Sequence, residues 1–174
     1  MSWNFYTPSG GIGTSFPGSP NDKDIYTWVA DASAGVLWTF RYYEATTKWM
    51  FIGGAPLFSQ VLTSEGTSSA SYTALTTAGP SLALPFAGDY DITIGANLAS
   101  PNAHYAYMSY DIGVTGASDS DCVFIYGNAY AYPSVSRLQR KTGLSAVTLT
   151  MKYRVGSGTG YFEKRWMAVT PVQK

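Results

Sequence analysis

Groups able to carry out catalysis are few in this chain. Its 174 residues include one histidine, His104, and one cysteine, Cys122, so neither a histidine cluster nor an intrachain disulfide is possible. The HExxH and GxSxG patterns do not occur. A Ser–His–Asp arrangement through His104 stays open on counting alone. We expect His104 to be partly exposed at the start of a strand, and Cys122, which alternates with Phe124 and Tyr126, to be a small buried side chain. The sequence predicts no catalytic residue, no enzymatic activity and no cofactor.

Two pairs of aspartates have a spacing that places both carboxylates on one face of a strand, Asp89 with Asp91 and Asp119 with Asp121. A calcium site at Asp119 and Asp121 stays open, because calcium prefers carboxylate and carbonyl oxygens. A polar turn with side chain–backbone hydrogen bonds is the simpler interpretation, and no metal site is predicted. The Gly156–Gly160 run joins two expected strands and begins no helix, so it predicts a hairpin rather than a phosphate loop.

Aromatic side chains are the stronger candidates for binding chemistry. Tyr105 and Tyr107 fall on the polar face of their expected strand, and Tyr130 and Tyr132 precede Pro133 near a group of basic residues. An exposed tyrosine suits a sugar or a protein interface, because its ring buries area while its hydroxyl stays hydrogen-bonded. Burial inside the fold or between subunits is the alternative. The predicted ligand-binding residues are Tyr105, Tyr107, Tyr130, Tyr132, Arg137 and Arg140.

The elements that position these residues are β-strands. Ala146–Val155 alternates strictly between apolar and polar residues, and similar alternation returns over Tyr90–Leu98 and Ala106–Val114. A period of two gives a strand one buried and one solvated face, as in antiparallel sheets. Turn signals recur at the spacing of a two-layer fold, and the strands expected between them include Ser71–Leu75 and Tyr105–Val114. The predicted class is all-β: an antiparallel β-sandwich, of jelly-roll type, preceded by a three-stranded β meander and an irregular N-terminal arm.

Three segments are predicted along the chain. Residues 1–20 are rich in Gly, Ser and Pro and predict an extended arm, residues 21–57 a small β meander, and residues 58–174 the sandwich. The meander holds Trp28, Trp38 and Trp49, which three short strands cannot bury alone. We expect these tryptophans to be covered by the rest of the chain or by another copy of it. The predicted oligomer contacts are Trp28, Trp38, Trp49 and Tyr90.

Charge is segregated although the net charge is zero. Residues 1–136 carry three basic and ten acidic residues, 3 − 10 = −7, and residues 137–174 carry eight basic and one acidic residue, 8 − 1 = +7. Opposite charges on paired strands are the simplest explanation, and contact between sister subunits is the alternative. Nucleic-acid binding is not expected from a neutral chain without a recognition motif. The first residues show neither a signal peptide nor a membrane span, so membrane insertion is not expected.

Three stretches carry a resemblance to a known family. The segments Pro20–Leu57, Thr77–Ala96 and Lys141–Val172 resemble segments of minor tail or fibre-like virion proteins of tailed phages, particularly those infecting actinobacteria. The C-terminal part is also similar in layout to trimeric jelly-roll heads of the tumour-necrosis-factor and complement-C1q type, with Gly88-Asp89-Tyr90 at the strand start that lies in the subunit core. The resemblance implies a homotrimer in the virion, made in the host cytoplasm, whose arm contacts other virion proteins.

The predicted function is therefore attachment of a phage particle to a host-surface glycan or protein. Two alternatives stay open. One is a capsid-decorating, head-fibre or adaptor protein without a receptor. The other is a free-standing carbohydrate-binding module, which would bind sugar through Tyr105 and Tyr107.

Overall fold

The computed structural model describes residues 10–129 and 131–174, and the chain there is built from β-strands and two short 3-10 turns, Glu44–Thr46 and Asp119–Asp121. The strands of the described residues are β1 (Gly10–Gly13), β2 (Ile25–Asp31), β3 (Val36–Tyr43), β4 (Lys48–Gly54), β5 (Leu57–Val61), β6 (Glu65–Thr67), β7 (Ser81–Ala83), β8 (Gly88–Ile112), β9 (Val123–Ala129), β10 (Ser134–Leu144), β11 (Thr148–Val155) and β12 (Gly160–Gln173).

The strand β8 belongs to both layers of the sandwich. Its first half pairs with β10 and β12 in the first sheet, which continues through β12 to β4, β5 and β6. Its second half pairs with β9 and β11 in the second sheet, where β7 lies beyond β11. The pairing with β9 is irregular between Ser100 and His104, where the strand passes from one layer to the other. The all-β sandwich prediction is confirmed.

The core lies between the inward faces of these sheets. Leu149, Met151, Tyr153 and Val155 of β11 are buried, as their alternation with polar residues predicts. The ring centroid of Tyr153 lies 4.9 Å from that of Phe162 on β12, so the two strands face each other across the core. Burial of apolar surface at about 25 cal/mol per Å² is the main stabilisation of such an interior.

Several strand predictions need correction. A strand expected over Ser71–Leu75 is reduced to an isolated bridge between Thr73 and Tyr153. Two strands expected over Tyr90–Leu98 and Tyr105–Val114 are one continuous strand, because the irregular pairing after Ser100 lets the chain bend without leaving the sheet. The short strands β1 and β6 lack a two-residue hydrophobic rhythm and were not predicted.

The meander and the arm complete the core at one end. From residue 10 onward the arm is part of the fold, because β1 pairs in parallel with β2 and the ring of Phe16 packs against Trp28 and Phe86, at centroid distances of 4.6 and 5.3 Å. Trp38 contacts the same Phe86 ring at 6.0 Å, and its indole N–H donates a 2.7 Å hydrogen bond to the Ala55 carbonyl. The meander therefore packs on the sandwich rather than standing apart from it.

This packing corrects the oligomer contacts. The cover that the tryptophans require comes from the same chain, and the hydroxyl of Tyr90 donates to the Phe86 carbonyl in the interior. None of the four side chains retains more than 5% of its surface for a second chain. The residues concerned are Trp28, Trp38, Trp49 and Tyr90.

The segregated charges meet within the chain. Basic residues of β10, β11 and β12 pair with acidic residues earlier in the sequence: three pairs join neighbouring strands, as the cross-strand interpretation predicts, and two reach the 3-10 turn Asp119–Asp121. The pairs are Arg140–Asp91, Lys141–Asp121, Lys152–Asp111, Arg154–Asp119 and Arg165–Glu65. Among the described residues, no helix has the length and hydrophobicity needed to cross a membrane.

Candidate functional site

Four aromatic rings lie side by side on the outer surface of the second sheet. Ala106 and Met108 of β8 point into the core, so their neighbours Tyr105 and Tyr107 point outward. Strand β9 pairs with β8 in a register that sets a second aromatic ring opposite each tyrosine, Tyr126 beside Tyr105 and Phe124 beside Tyr107. We call these four residues the aromatic face: Tyr105, Tyr107, Phe124 and Tyr126.

The rings of the aromatic face are in mutual contact. Centroid distances are 4.8 Å between Tyr105 and Tyr126, 5.7 Å between Tyr107 and Phe124, and 5.6 Å between Tyr105 and Tyr107. Tyr105, Phe124 and Tyr126 are 41%, 54% and 62% exposed. Contiguous exposed rings are unusual on a folded chain and typically mark a binding surface.

Tyr107 differs from the other three because a cation covers its ring. The guanidinium carbon of Arg154 lies 3.7 Å from the Tyr107 centroid, since β11 pairs Arg154 directly with Tyr107. Nε and Nη2 of Arg154 donate to the two carboxylate oxygens of Asp119, at 3.1 and 2.6 Å. The hydroxyl of Tyr72 donates to the same carboxylate at 2.8 Å. These bonds hold the pKa of Asp119 below its ordinary value, and they fix Arg154 against the ring.

A cleft of about 520 Å³ begins beside this group. Its floor is the next part of β8 and β11, where the Lys152 ammonium lies 3.3 Å from the Asp111 carboxylate. One wall is the loop after β8, held by a bond from the Ala117 amide to Asp111 and another from the Ser109 hydroxyl to the Ser118 carbonyl. We call this the polar cleft, and its lining is Ala70, Ser71, Tyr72, Asp111, Gly116, Ala117, Ser118, Asp119, Lys152 and Arg154.

No protein-family model and no curated protein sequence matches the chain. Among solved structures, it is similar to a carbohydrate-binding module of Cellvibrio mixtus lichenase 5A in complex with cellotriose. The two are 13% identical, the match covers 68% of this chain and 98% of that chain, and the TM-score is 0.33. The function proposed below therefore depends on this chain's own residues.

The structure brings together part of the predicted ligand-binding set. Tyr105 and Tyr107 lie together on the outer surface of the second sheet, as predicted. Arg140 lies on the outer surface of the first sheet, where it makes two 2.8 Å bonds to Asp91. Tyr132 is half-buried before β10, and Tyr130 lies outside the described residues. The five described residues of this set do not form one site.

Arg137 has a structural task that explains its position. It lies on β10, and its Nη1 donates a 2.9 Å bond to the carbonyl of Cys122, the residue just before β9. On the same side of β10, the Gln139 amide donates to the Ser120 carbonyl, and the Lys141 ammonium donates to the Asp121 carboxylate. These three side chains of β10 tie the open edge of the first sheet to the 3-10 turn of the second.

Phe124, Tyr126 and Arg154 were missed by the sequence analysis. Cys122 is buried as expected, but it precedes β9 at the end of a 3-10 turn, so its burial does not extend to Phe124 and Tyr126. Alternation begins at Val123, which is buried, and that sets Phe124 and Tyr126 outside. A usable signal was present, because β-branched Val123 and Ile125 alternate with these rings.

The groups considered for catalysis and metal binding have other surroundings. Burial raises the pKa of the Cys122 thiol, which favours its unreactive protonated form. His104 is half-buried, as predicted. Asp119 and Asp121 bond to Arg154 and to Lys141, respectively. Within residues 10–129 and 131–174, no three His, Cys, Asp or Glu side chains are grouped to hold a metal ion.

Proposed function

We propose that this chain is a glycan-binding β-sandwich and that the aromatic face is its binding surface. The observation that carries the proposal is the contact between three well-exposed rings, Tyr105, Phe124 and Tyr126, on one rigid sheet. The C–H face of a sugar ring packs on such a platform, while the sugar hydroxyls turn toward polar groups beside it. Aromatic residues give this contact area at a low cost in conformational entropy.

The residues of the site divide into two roles. Tyr105, Phe124 and Tyr126 contact the ligand, because their rings are open to solvent. Tyr107 and Arg154 are positioning residues, because the guanidinium covers the Tyr107 ring and is itself held by Asp119. A platform on paired strands keeps its shape without the ligand, which reduces the entropy lost on binding.

The charges beside the rings favour a sugar over a nucleic acid. Single-stranded nucleic acids also stack on aromatic side chains, but their binding sites combine the rings with a positively charged groove. Here Arg154 is neutralised by Asp119 and Lys152 by Asp111. Few unpaired positive charges are then offered to a phosphate backbone.

We propose that the binding is not coupled to a reaction. Burial favours the protonated form of Cys122, and both carboxylates of the polar cleft, Asp111 and Asp119, are held in ion pairs. A glycosidase requires two carboxyl groups facing one bond, one of them able to give a proton. Release of reducing sugar or ester hydrolysis in a screen of polysaccharides and esters would overturn this part.

The test is a glycan array followed by calorimetry on the glycans that bind. We expect Tyr126→Ala to lower affinity at least tenfold, about 1.4 kcal/mol. The matched control is Tyr43→Ala, which removes a tyrosine that is 38% exposed on β3, away from the site, and should leave affinity unchanged. Binding that survives Tyr126→Ala, or no binding to any glycan, would overturn the proposal.

We also propose that the chain is a virion protein, that it attaches the phage particle to host glycans, and that it does so as a homotrimer. The resemblance to phage tail and fibre proteins supports this proposal. Exposed Phe58 and Leu138 on the outer surface of the first sheet are candidates for contact between copies. Immunogold labelling of particles and native mass spectrometry test the two parts. Unlabelled particles would exclude the virion setting, and a stable monomer at micromolar concentration would exclude the trimer.

A further inference from the structure

The aromatic face and the polar cleft meet at Arg154, which covers Tyr107 and lines the cleft. Along β8, Tyr105 and Tyr107 are followed on the same side by Ser109, which is buried against the Ser118 carbonyl, and by Asp111, which lines the cleft. The partners of these residues on β11 continue in step, with Arg154 beside Tyr107 and Lys152 beside Ser109. From Tyr105 to Asp111 the strand advances by six residues, roughly 20 Å at about 3.3 Å each.

This length is more than one sugar ring needs. A ligand that crosses Arg154, beside the buried Ser109, would rest one part on the rings and place the next part over the cleft. The cleft volume of about 520 Å³ falls within the range of about 300–1,000 Å³ that is usual for small-molecule sites. Arg154 borders both parts, so a ligand that crosses it stays in contact with protein throughout.

The charges of the cleft define the chemical class of the ligand. Its lining contains two carboxylates and two cations, and each carboxylate is paired with a cation. A carboxylated or sulfated sugar would have to separate one of these pairs or lie against a carboxylate. A neutral sugar needs neither, because each hydroxyl can donate to a carboxylate oxygen and accept from a neighbouring donor.

We propose that the polar cleft is a second subsite, and that the ligand is a neutral oligosaccharide extending from the aromatic face across Arg154 into the cleft. The inference rests on the proposed function, since it assumes that the rings hold the first sugar units. Affinity should therefore rise with chain length until the oligosaccharide fills the cleft, and it should not depend strongly on salt.

The first experiment blocks the cleft without touching an ion pair. A Cβ at Gly116 would meet open space, so Gly116→Phe adds a ring at the cleft wall without a clash at the backbone. Gly53→Phe is the matched control, because its Cβ also meets open space and it lies on β4, in the meander. An array of neutral and anionic glycans of one to six units selects the probes, and calorimetry then measures their affinities.

We expect neutral glycans to bind. In the wild type and in Gly53→Phe, long chains should bind at least tenfold more tightly than short ones. In Gly116→Phe, most of this advantage of chain length should be lost. As a second variant, Asp119→Asn should reduce the length advantage, while Asp91→Asn, which breaks the pair with Arg140 on the other sheet, should not. Preference for anionic glycans, or a length advantage that both cleft variants retain, would overturn the subsite. If glycan binding with either of these properties were still lost in Tyr126→Ala, the proposed function would stand and only the second subsite would be rejected.

Discussion

The guanidinium of Arg154 covers the ring of Tyr107 at 3.7 Å while it binds both carboxylate oxygens of Asp119. The contact joins β8 and β11 on the outer surface of the second sheet, and it borders the aromatic face and the polar cleft. The Arg154 side chain is mostly covered, so its cation–π contact with Tyr107 is less screened than at an open surface.

This contact predicts that Arg154→Lys weakens both stability and binding. Lysine keeps the charge but loses the planar stack on Tyr107 and the two-pronged bond to Asp119. We expect the free energy of unfolding to fall by about 1 kcal/mol, from the sizes typical of cation–π and ion-pair contacts, and sugar affinity to fall less than in Tyr126→Ala. Urea unfolding and calorimetry measure the two effects. Arg140→Lys, which also loses a two-pronged bond but on the other sheet, should leave affinity unchanged, and equal losses in both variants would count against the role of Arg154.

A second prediction concerns the N-terminal segment. Phe16 contacts five aromatic rings of the core. Phe16→Ala should therefore lower the free energy of unfolding by about 2 kcal/mol. This is less than the usual loss for a fully buried phenylalanine, because Phe16 is partly exposed. Ile12→Ala is the control, since Ile12 is 67% exposed. Urea midpoints distinguish the two. Equal midpoints would mean that the segment contributes nothing to the core.

Much of the fold follows from alternation in the sequence. The buried and exposed sides of β11 are those that its period of two predicts, because both neighbours of this strand keep a regular register. The continuity of β8 was not predictable in this way. It depends on how β9 and β12 pair on either side of Ser100, and those contacts are distant in sequence.

The site was predictable to a smaller extent. Tyr105 and Tyr107 stand out because they fall on the polar side of an alternating strand. Arg154 does not, since its place over Tyr107 depends on the register between β8 and β11. Arg137 and Arg140 are predicted from their closeness in sequence to Tyr130 and Tyr132. Strand residues an odd number of positions apart point to opposite sides, so Arg137 bonds to the Cys122 carbonyl and Arg140 lies on the outer surface with Asp91.

A third prediction concerns the outer surface of the first sheet. A Cβ at Gly95 would lie 2.4 Å from two atoms of the Trp166 indole, so the tryptophan lies directly over this glycine. Gly95→Ala must displace the indole, which also stacks near Phe58, and overpacking of this kind typically costs about 1–3 kcal/mol. Gly53→Ala adds the same methyl group into open space and should not destabilise the fold. Chemical unfolding of the two variants compares them, and equal midpoints would contradict the packing.

A fourth prediction follows from the Asp119 carboxylate. Hydrogen bonds from Arg154 and then from Tyr72 lower its pKa from the ordinary value of 3.8. A carboxylate whose pKa is lower in the folded state stabilises the fold fully above its unfolded pKa, near 3.9, and this contribution is lost as the pH falls through the folded pKa. The side chain is 61% exposed, so water screens the pair and the contribution is at most about 1 kcal/mol.

The measurement is the difference in unfolding free energy between the wild type and Asp119→Asn across pH. At pH 7 the wild type should be more stable. The difference should begin to shrink below about pH 4, where the carboxyl group of the unfolded chain takes up a proton, and it should be lost below the folded pKa, where protonated Asp119 no longer pairs with Arg154. Comparing the two proteins at each pH cancels the titration of the other carboxylates that they share. A difference that stays constant from pH 7 to the acid limit would show that the charge of Asp119 is not what holds Arg154 in place.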